Sequence, residues 1–263
     1  FPDWRSADSL NTYSLIFGDF DQDNQGWLDL VAGNHNGPST LYLNQDGGFG
    51  SNLNRAPVWA SSLTNDTRSV AWGYYDGDDL PDFAAGNYGQ PTSIYRNAGY
   101  NQFSLAQTLP AANTRSVAWG DYDGDGTMDL ALGNYGQPVQ VYRNTGGNLT
   151  LAWTAPVTRN TTSVAWGDWN SDGRLDLAVG NDNQPNQVYA NLGSTPTTPK
   201  LFWLWQSAVA YDTQSIAWGD ADGDGDLDLA IANTNQSGFY RNNYVAPAHL
   251  TNMNMPLPLN STY

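Results

Sequence analysis

One pattern recurs five times along this chain of 263 residues, and nothing else limits its fold as strongly. "SVAWGYYDGDDLPDFAAGNYGQPTSIYRN" begins at Ser69, "SVAWGDYDGDGTMDLALGNYGQPVQVYRN" at Ser116 and "SVAWGDWNSDGRLDLAVGNDNQPNQVYAN" at Ser163. "SIAWGDADGDGDLDLAIANTNQSGFYRN" begins at Ser215, and a divergent copy, "SLIFGDFDQDNQGWLDLVAGNHNGPSTLYLN", begins at Ser14. Successive starts lie 55, 47, 47 and 52 residues apart. Periods of that size belong to solenoids and propellers, where one unit cannot bury its own apolar face and depends on its neighbours.

Inside a unit every signal is β. In the third unit Val117 and Trp119 alternate with small Ala118, Leu130 and Leu132 fall on one face of "LALGN", "VQVY" alternates again, and "LTLAW" supplies a fourth run. Gly, Pro, Asn and Asp bound each run, as hairpins require. Four antiparallel strands per unit make a propeller blade. The expected fold class is therefore all-β: a β-propeller of about five four-stranded blades, or a fragment of a larger propeller. The units run near 14–68, 69–115, 116–162, 163–214 and 215–263 of a single domain, 1–263. The first-strand aromatics Phe17, Trp72, Trp119, Trp166 and Trp218 are expected to pack between blades. Residues 1–12 and the tail "NMPLPLNSTY" both resemble the stretch that precedes each repeat. Residues 1–12 are accordingly expected to form an extra outer strand, closing the ring beside Phe239, Tyr240 and Arg241 or pairing with another molecule.

Composition points the same way. All 26 acidic residues are Asp and the only Lys is Lys200, whereas helix surfaces favour Glu and Lys. A net charge of −16 leaves no basic footprint for nucleic acid. Without Cys there is no disulfide framework and no thiolate metal site. No apolar run approaches the roughly 20 residues of a membrane-spanning helix. The first residue is Phe rather than Met, as expected of a processed chain or of part of a longer one.

The units resemble the FG-GAP or VCBS repeats of integrin α-chain-type propellers. In those repeats an aromatic-Gly pair precedes a D-x-D-x-D-G-x-x-D calcium loop; here the pair is Trp119-Gly120 or its equivalents, and the resemblance covers nearly the whole chain. It implies a calcium-binding propeller.

The physical chemistry of the Asp loops agrees. Four carboxylates within nine residues repel one another unless a cation sits among them, and Ca²⁺ takes about six to eight oxygen ligands. In the third unit Asp121, Asp123 and Asp125 are side-chain candidates, Thr127 offers its carbonyl, Asp129 closes the site, and Gly126 permits the left-handed conformation of a tight loop. The fifth unit matches at Asp220, Asp222, Asp224, Asp226 and Asp228. The fourth matches at Asp168, Asn170, Asp172, Arg174 and Asp176, where Asn170 keeps an oxygen but loses a charge. The second departs: Tyr74 replaces the first Asp and Asp79 the Gly, leaving Asp76, Asp78 and Asp82. The first carries two extra residues before its closing Asp, and its candidates are Asp19, Asp21, Asp23 and Asp29. Twenty of the 26 Asp lie in these loops. Five divalent ions would bring the net charge from −16 to about −6. The alternative is that the loops are solvated Asx turns.

Catalysis finds little support. Glycoside hydrolysis requires paired free carboxylates, yet only Asp3, Asp8, Asp46, Asp66, Asp182 and Asp212 lie outside the loops, and they are read as holding no equivalent positions. The chain is expected not to be an enzyme but to bind through its loops. The "GNYGQP" turns lie at the opposite end of the strands from the Asp loops and carry Tyr88, Tyr135, Gln90, Gln137 and Gln184; Arg68 and Arg115 approach from the neighbouring connections. Rings beside amide and guanidinium donors suit sugars, so a glycan or cell-surface ligand is expected, of a secreted or surface-exposed adhesion module or lectin. The alternative is a structural subunit that self-assembles through a terminal strand. Sequons at Asn65, Asn148, Asn160, Asn235 and Asn260 mark candidate glycosylation positions.

Overall fold

Short apolar runs closed by Gly, Asn or Asp become strands throughout. The computed structural model describes residues 4–22, 27–44, 55–99, 101–193 and 201–242; among these there is no helix, and so none long and apolar enough to cross a membrane. The strands are β1 (Thr12–Gly18), β2 (Asp29–Asn34), β3 (Thr40–Tyr42), β4 (Trp59–Ala60), β5 (Thr67–Gly73), β6 (Asp82–Asn97), β7 (Phe103–Gly120) and β8 (Asp129–Asn144). They continue with β9 (Leu149–Gly167), β10 (Asp176–Gln184), β11 (Gln187–Asn191), β12 (Leu201–Gln206), β13 (Tyr211–Gly219), β14 (Asp228–Asn233) and β15 (Gly238–Tyr240).

Two compact units are distinguishable: residues 1–119 with 143–150, and residues 120–142 with 151–263. In the first, β1 to β4 pair in sequence order and β5 pairs β6, which pairs β7. The 16 residues of β6 are a folded-back ribbon. Residues 82–87 pair with β5 and residues 88–97 with β7. Phe83 and Tyr95 stack with ring centroids 4.8 Å apart, although an extended strand would separate them by about 40 Å. The reversal falls at Gly89, whose φ of +71° is left-handed. β7 serves two repeats in turn: residues 103–113 pair with β6, and the remainder is the opening "SVAWG" strand of the next. Phe20, Val31, Leu41, Val70, Phe83, Tyr95 and Phe103 form the core of this unit, with Trp59 packed against it. Burying such side chains stabilises by about 1.5–3 kcal/mol each.

In the second unit the strand order is β8-β9-β10-β13-β14-β15, with β11 between β10 and β12. Ala178, Val188, Ile216, Leu229 and Ile231 form its core, flanked by Trp205, Trp218 and Tyr240.

Second strands are not one-faced, as the placement of Leu130 and Leu132 had implied: Leu130, Ala131 and Leu132 are all fully buried. Both faces are covered because the next repeat's first strand packs closely on them. A Cβ at Gly33 would lie 2.7 Å from Thr67 Cγ2 and 2.9 Å from Val70 Cγ1.

The first-strand aromatics divide into two groups. A Cβ at Gly73 would lie 2.7 Å from Trp119, one at Gly120 2.7 Å from Trp166, and one at Gly167 2.6 Å from Trp218, so these three indoles pack between repeats as expected. Phe17 and Trp72 do not follow: they are 48% and 42% exposed. At Gly18 the space is taken by the Phe20 ring, with three of its atoms within 3.0–3.5 Å of a built Cβ.

The expected outer strand is also corrected. Residues 4–11 adopt no strand and lie on the first repeat: Ala7 N–H donates to Arg55 O (2.7 Å), and Trp4 packs edge-on to Tyr42. Apolar contact with Leu30, Ala32 and Tyr42 holds this segment in place of a ladder. Residues 1–3 and the C-terminal stretch lie outside the described residues.

Candidate metal centres

Four of the five Asp loops are clamped at the base by a Gly–Asp pair in register: Gly18 with Asp29, Gly73 with Asp82, Gly167 with Asp176 and Gly219 with Asp228. The closing Asp is buried, and its two oxygens divide their work. Asp82 Oδ2 accepts from Tyr75 N–H (2.8 Å) and Oδ1 from Asn97 N–H (2.7 Å). Asp176 accepts likewise from Trp169 (3.1 Å) and Asn191 (2.7 Å), and Asp228 from Ala221 (2.9 Å) and Asn242 (2.7 Å). Burial outweighs these bonds and raises Asp29 and Asp82 to about 6 and Asp176 to about 7.

Two left-handed residues shape each of the last four loops, and the first shows one among its described residues. The earlier is Gln22 (φ 46°), Gly77 (75°), Gly124 (73°), Ser171 (56°) or Gly223 (78°). The later is Asp79 (64°), Gly126 (87°), Gly173 (82°) or Gly225 (93°), so the expectation for Gly126 holds, and Asp79 adopts the same conformation. This backbone curls N–H groups around the first carboxylate. Asp121 accepts from Gly124 (2.8 Å), Asp125 (3.1 Å) and Gly126 (3.0 Å). Asp168 and Asp220 repeat the arrangement.

Carboxylates converge in four loops. Asp19, Asp21 and Asp29; Asp76, Asp78 and Asp82; Asp121, Asp123 and Asp129; and Asp220, Asp222 and Asp228 each bring one oxygen apiece within 4.8 Å of one another. The other candidates are placed differently. Asp125 Oδ1 accepts from Thr127 N–H (2.9 Å) and Oγ1–H (2.5 Å), and Asp224 Oδ1 from Asp226 N–H (3.0 Å). The Asp226 carboxylate accepts from Ser171 Oγ (3.3 Å). In the fourth loop Asn170 replaces an acid, and Arg174 Nη2 donates to Asp172 Oδ2 at 2.6 Å. Asp23 lies outside the described residues.

The donor set fits a hard cation: all-oxygen, anionic and clustered. Asp76 Oδ1 is moreover buried with no hydrogen-bond donor. The second loop meets part of this demand from within. Arg96 contacts Asp76 and Asp78, the latter at 2.9 Å. Burial and the neighbouring Asp78 charge raise Asp76. Burial acts upward on Asp78 as well, but Arg96 outweighs it and holds that group low.

Sequence reasoning missed the "YRN" ends of the repeats. Arg96, Arg143 and Arg241 are their arginines, and Arg241 Nε lies 2.9 Å from Asp222 Oδ2. The asparagines tie consecutive repeats together: Asn97 Nδ2 donates to Phe20 O (2.8 Å), Asn144 to Tyr75 O (2.7 Å), Asn191 to Tyr122 O (2.6 Å) and Asn242 to Trp169 O (2.7 Å). The recurrence of Y-x-N in every copy was the available signal.

At the other end of the strands, the structure brings Arg68, Tyr88 and Arg115 together. The Arg68 guanidinium lies 4.3 Å from the Tyr13 ring centroid and 5.5 Å from that of Tyr88, and Arg115 lies 5.6 Å from Tyr88. Asp66 holds Arg68 Nη2 at 2.7 Å and His35 Nδ1 at 2.7 Å. Tyr135 donates to Asp182 (2.8 Å). The Gln90 and Gln184 carbonyls accept from Asp66 and Asn160 N–H, both at 2.6 Å, and so tie off turns; Gln137 is also engaged. Asp66 and Asp212 do occupy equivalent positions, contrary to the sequence reading: their carbonyls accept from Tyr88 (2.9 Å) and Thr234 (3.0 Å) N–H respectively. Of the sequon asparagines, Asn148 and Asn235 are exposed, Asn65 and Asn160 are half-buried, and Asn260 lies outside the described residues.

An all-β chain of repeated hairpins with an acidic loop after each first strand defines a propeller-type repeat protein. The FG-GAP-like repeat family matches at residues 74–132, 121–179 and 168–231, more than half of the chain, and the protein belongs to that family. No curated protein matches it. Among solved structures it is similar to one described as the crystal structure of BBS1N in complex with ARL6DN, soaked with lead. The TM-score is 0.58 at 12% identity, over 85% of this chain and 63% of that one, so this chain spans less than two thirds of its neighbour. At that identity the likeness speaks to a propeller-like fold alone.

Proposed function

We propose that the chain is a calcium-binding propeller, secreted or surface-exposed, that acts by binding rather than by catalysis, with a glycan or cell-surface ligand. Its repeats each supply a blade, and Ca²⁺ held by Asp19, Asp21 and Asp29, by Asp76, Asp78 and Asp82, by Asp121, Asp123 and Asp129, and by Asp220, Asp222 and Asp228 supplies the charge that opposes their repulsion. One observation carries the binding reading: the Arg68–Tyr88–Arg115 stack, with Tyr13 53% exposed beside it. Half-buried guanidinium groups fixed against rings present donors and apolar faces at little further entropic cost, which suits hydroxyl and acidic groups. The family and the BBS1N neighbour, described in complex with ARL6DN, support a role as an interaction module. A glycan array probed in calcium is the test. Binding that weakens in Tyr88→Ala and Arg115→Ala supports the reading, and an array that stays blank while a protein partner is captured replaces the glycan by a protein surface.

A further inference from the structure

The junction of the first and second repeats departs from the later ones. Where the other loops open with Asp19, Asp121, Asp168 and Asp220, the second opens with Tyr74. At the same junction Trp72 is 42% exposed, while Trp119, Trp166 and Trp218 are half-buried and pack on the preceding repeat's glycine. The two departures meet in a cleft of about 590 Å³, lined by Phe17, Asp19, Gln22, Leu28, Trp72 and Tyr74. That volume lies within the range of about 300–1,000 Å³ typical of small-molecule sites.

The walls of the cleft are preorganised. Trp72 and Tyr74 stand edge to face, with centroids 5.7 Å apart and planes at 86°. Gln22 Nε2 donates to Asp79 O (2.6 Å), fixing that side chain across the two loops. Phe17, Leu28 and Tyr74 are 48%, 44% and 42% exposed, an unusual concentration of apolar surface for one junction. Rings offer flat faces to C–H groups, whereas the Gln22 amide and the Asp19 carboxylate offer hydrogen bonds at the rim. Asp19 and a net charge of −16 disfavour an anion. A lone ammonium group would leave most of the volume empty. An uncharged ring with one apolar face and a rim of hydroxyls matches what remains.

We propose that this cleft is a saccharide-binding site that takes a neutral pyranose, ring face against Trp72 and Tyr74, hydroxyls toward Gln22 and Asp19. It rests on the glycan reading above but is a separate site, at the Asp-loop end of the strands. Calcium-loaded protein is titrated with methyl glycosides of glucose, galactose, mannose, fucose and N-acetylglucosamine, using tryptophan fluorescence and calorimetry, with choline chloride as the cationic probe. At least one glycoside binds; Trp72→Ala weakens it tenfold or more, Tyr74→Asp weakens it too, and Trp72→Phe retains part. Trp203→Ala, at an exposed indole outside the cleft, leaves the affinity within twofold. Melting curves establish that each variant is folded. A glycoside whose affinity ignores both Trp72→Phe and Tyr74→Asp overturns the site and spares the glycan reading. Choline binding in place of sugars, lost in Trp72→Ala, overturns the saccharide class. No binding by any glycoside, on a protein that also leaves the glycan array blank, overturns both.

Discussion

Replacing Gly73 or Gly167 by Ala tests how the repeats are held together. Neither glycine has a left-handed φ, so the effect of a methyl group is steric. A Cβ at Gly73 lies 2.7 Å from Trp119 Cγ and 3.0 Å from Cδ1 and Cδ2. One at Gly167 lies 2.6 Å from Trp218 Cδ1. Comfortable carbon contacts are about 3.5–4.0 Å, so the indole must retreat by most of an ångström. It is not free to do so: Trp119 Nε1 donates to Ala71 O (3.1 Å) and Trp218 Nε1 to Ala165 O (3.2 Å). Overpacking costs about 1–3 kcal/mol, and a donor pulled from its acceptor costs about 1–3 more. The reduced freedom of the unfolded Ala chain returns about 0.4–1 kcal/mol. The net expectation is a destabilisation of about 2–4 kcal/mol, on the order of 5–10 °C in Tm for a chain of this size. Gly219 occupies the same Trp-Gly motif, but among the described residues nothing lies within 4 Å of a Cβ built there. Gly219→Ala is therefore expected to be neutral or stabilising by up to about 1 kcal/mol. Urea denaturation followed by tryptophan fluorescence reads all three. Equal midpoints for Gly73→Ala, Gly167→Ala and Gly219→Ala would refute the indole-on-glycine mechanism.

Three further outcomes are expected. Calcium stabilises by about 2.7 kcal/mol per site at a hundredfold excess over Kd, so Tm rises with calcium and falls on chelation; Asp123→Ala removes one ion from the calorimetric stoichiometry, and Tyr74→Asp tightens the second loop. Burial pushes Asp66 upward, but Arg68 and His35 outweigh it and hold its folded pKa below the unfolded value, so the stability it contributes is present above about pH 4 and is lost as pH falls through the folded pKa; an acid titration of Asp66→Asn should lack that component. Asp228→Ala strips the acceptor from the Ala221 and Asn242 N–H groups and costs about 2–6 kcal/mol even in chelator, measured by urea midpoint; a loss seen only with calcium present would make that residue a metal ligand and nothing more.

The repeat, the β class and the acidic loops were legible because each depends on local pattern. A period near 47 residues, Gly at turns and alternate Asp are written into consecutive positions. What escaped depends on contacts between repeats. Trp72 and Trp119 stand in the same "VAWG" string, yet only Trp119 finds its glycine uncovered, because Phe20 already fills the place at Gly18. The local departure, Tyr74 in place of Asp, does not by itself say that Phe20 covers Gly18. Residues 4–11 resemble a fourth strand, but Trp4 finds Tyr42, and side-chain contact takes the place of a ladder. Asp66 and Asp212 were readable in principle, each standing three residues before a repeat's Ser.

The loops also answer how a chain tolerates twenty clustered carboxylates. The first Asp gathers N–H groups that two left-handed residues turn inward, and the closing Asp gathers two more from its own loop and the "YRN" strand end. Charge-assisted bonds of this kind oppose repulsion before any ion arrives. Arg96, Arg174 and Arg241 add positive charge on Asp78, Asp172 and Asp222. The residues that shape the loop and those that would hold a cation are thus partly different. Asp121 Oδ1 and Oδ2 already serve the backbone, whereas Asp76 Oδ1 is buried and serves no donor. A cation then adds to a loop whose path the backbone has already set, so its removal should loosen the repeats without erasing them.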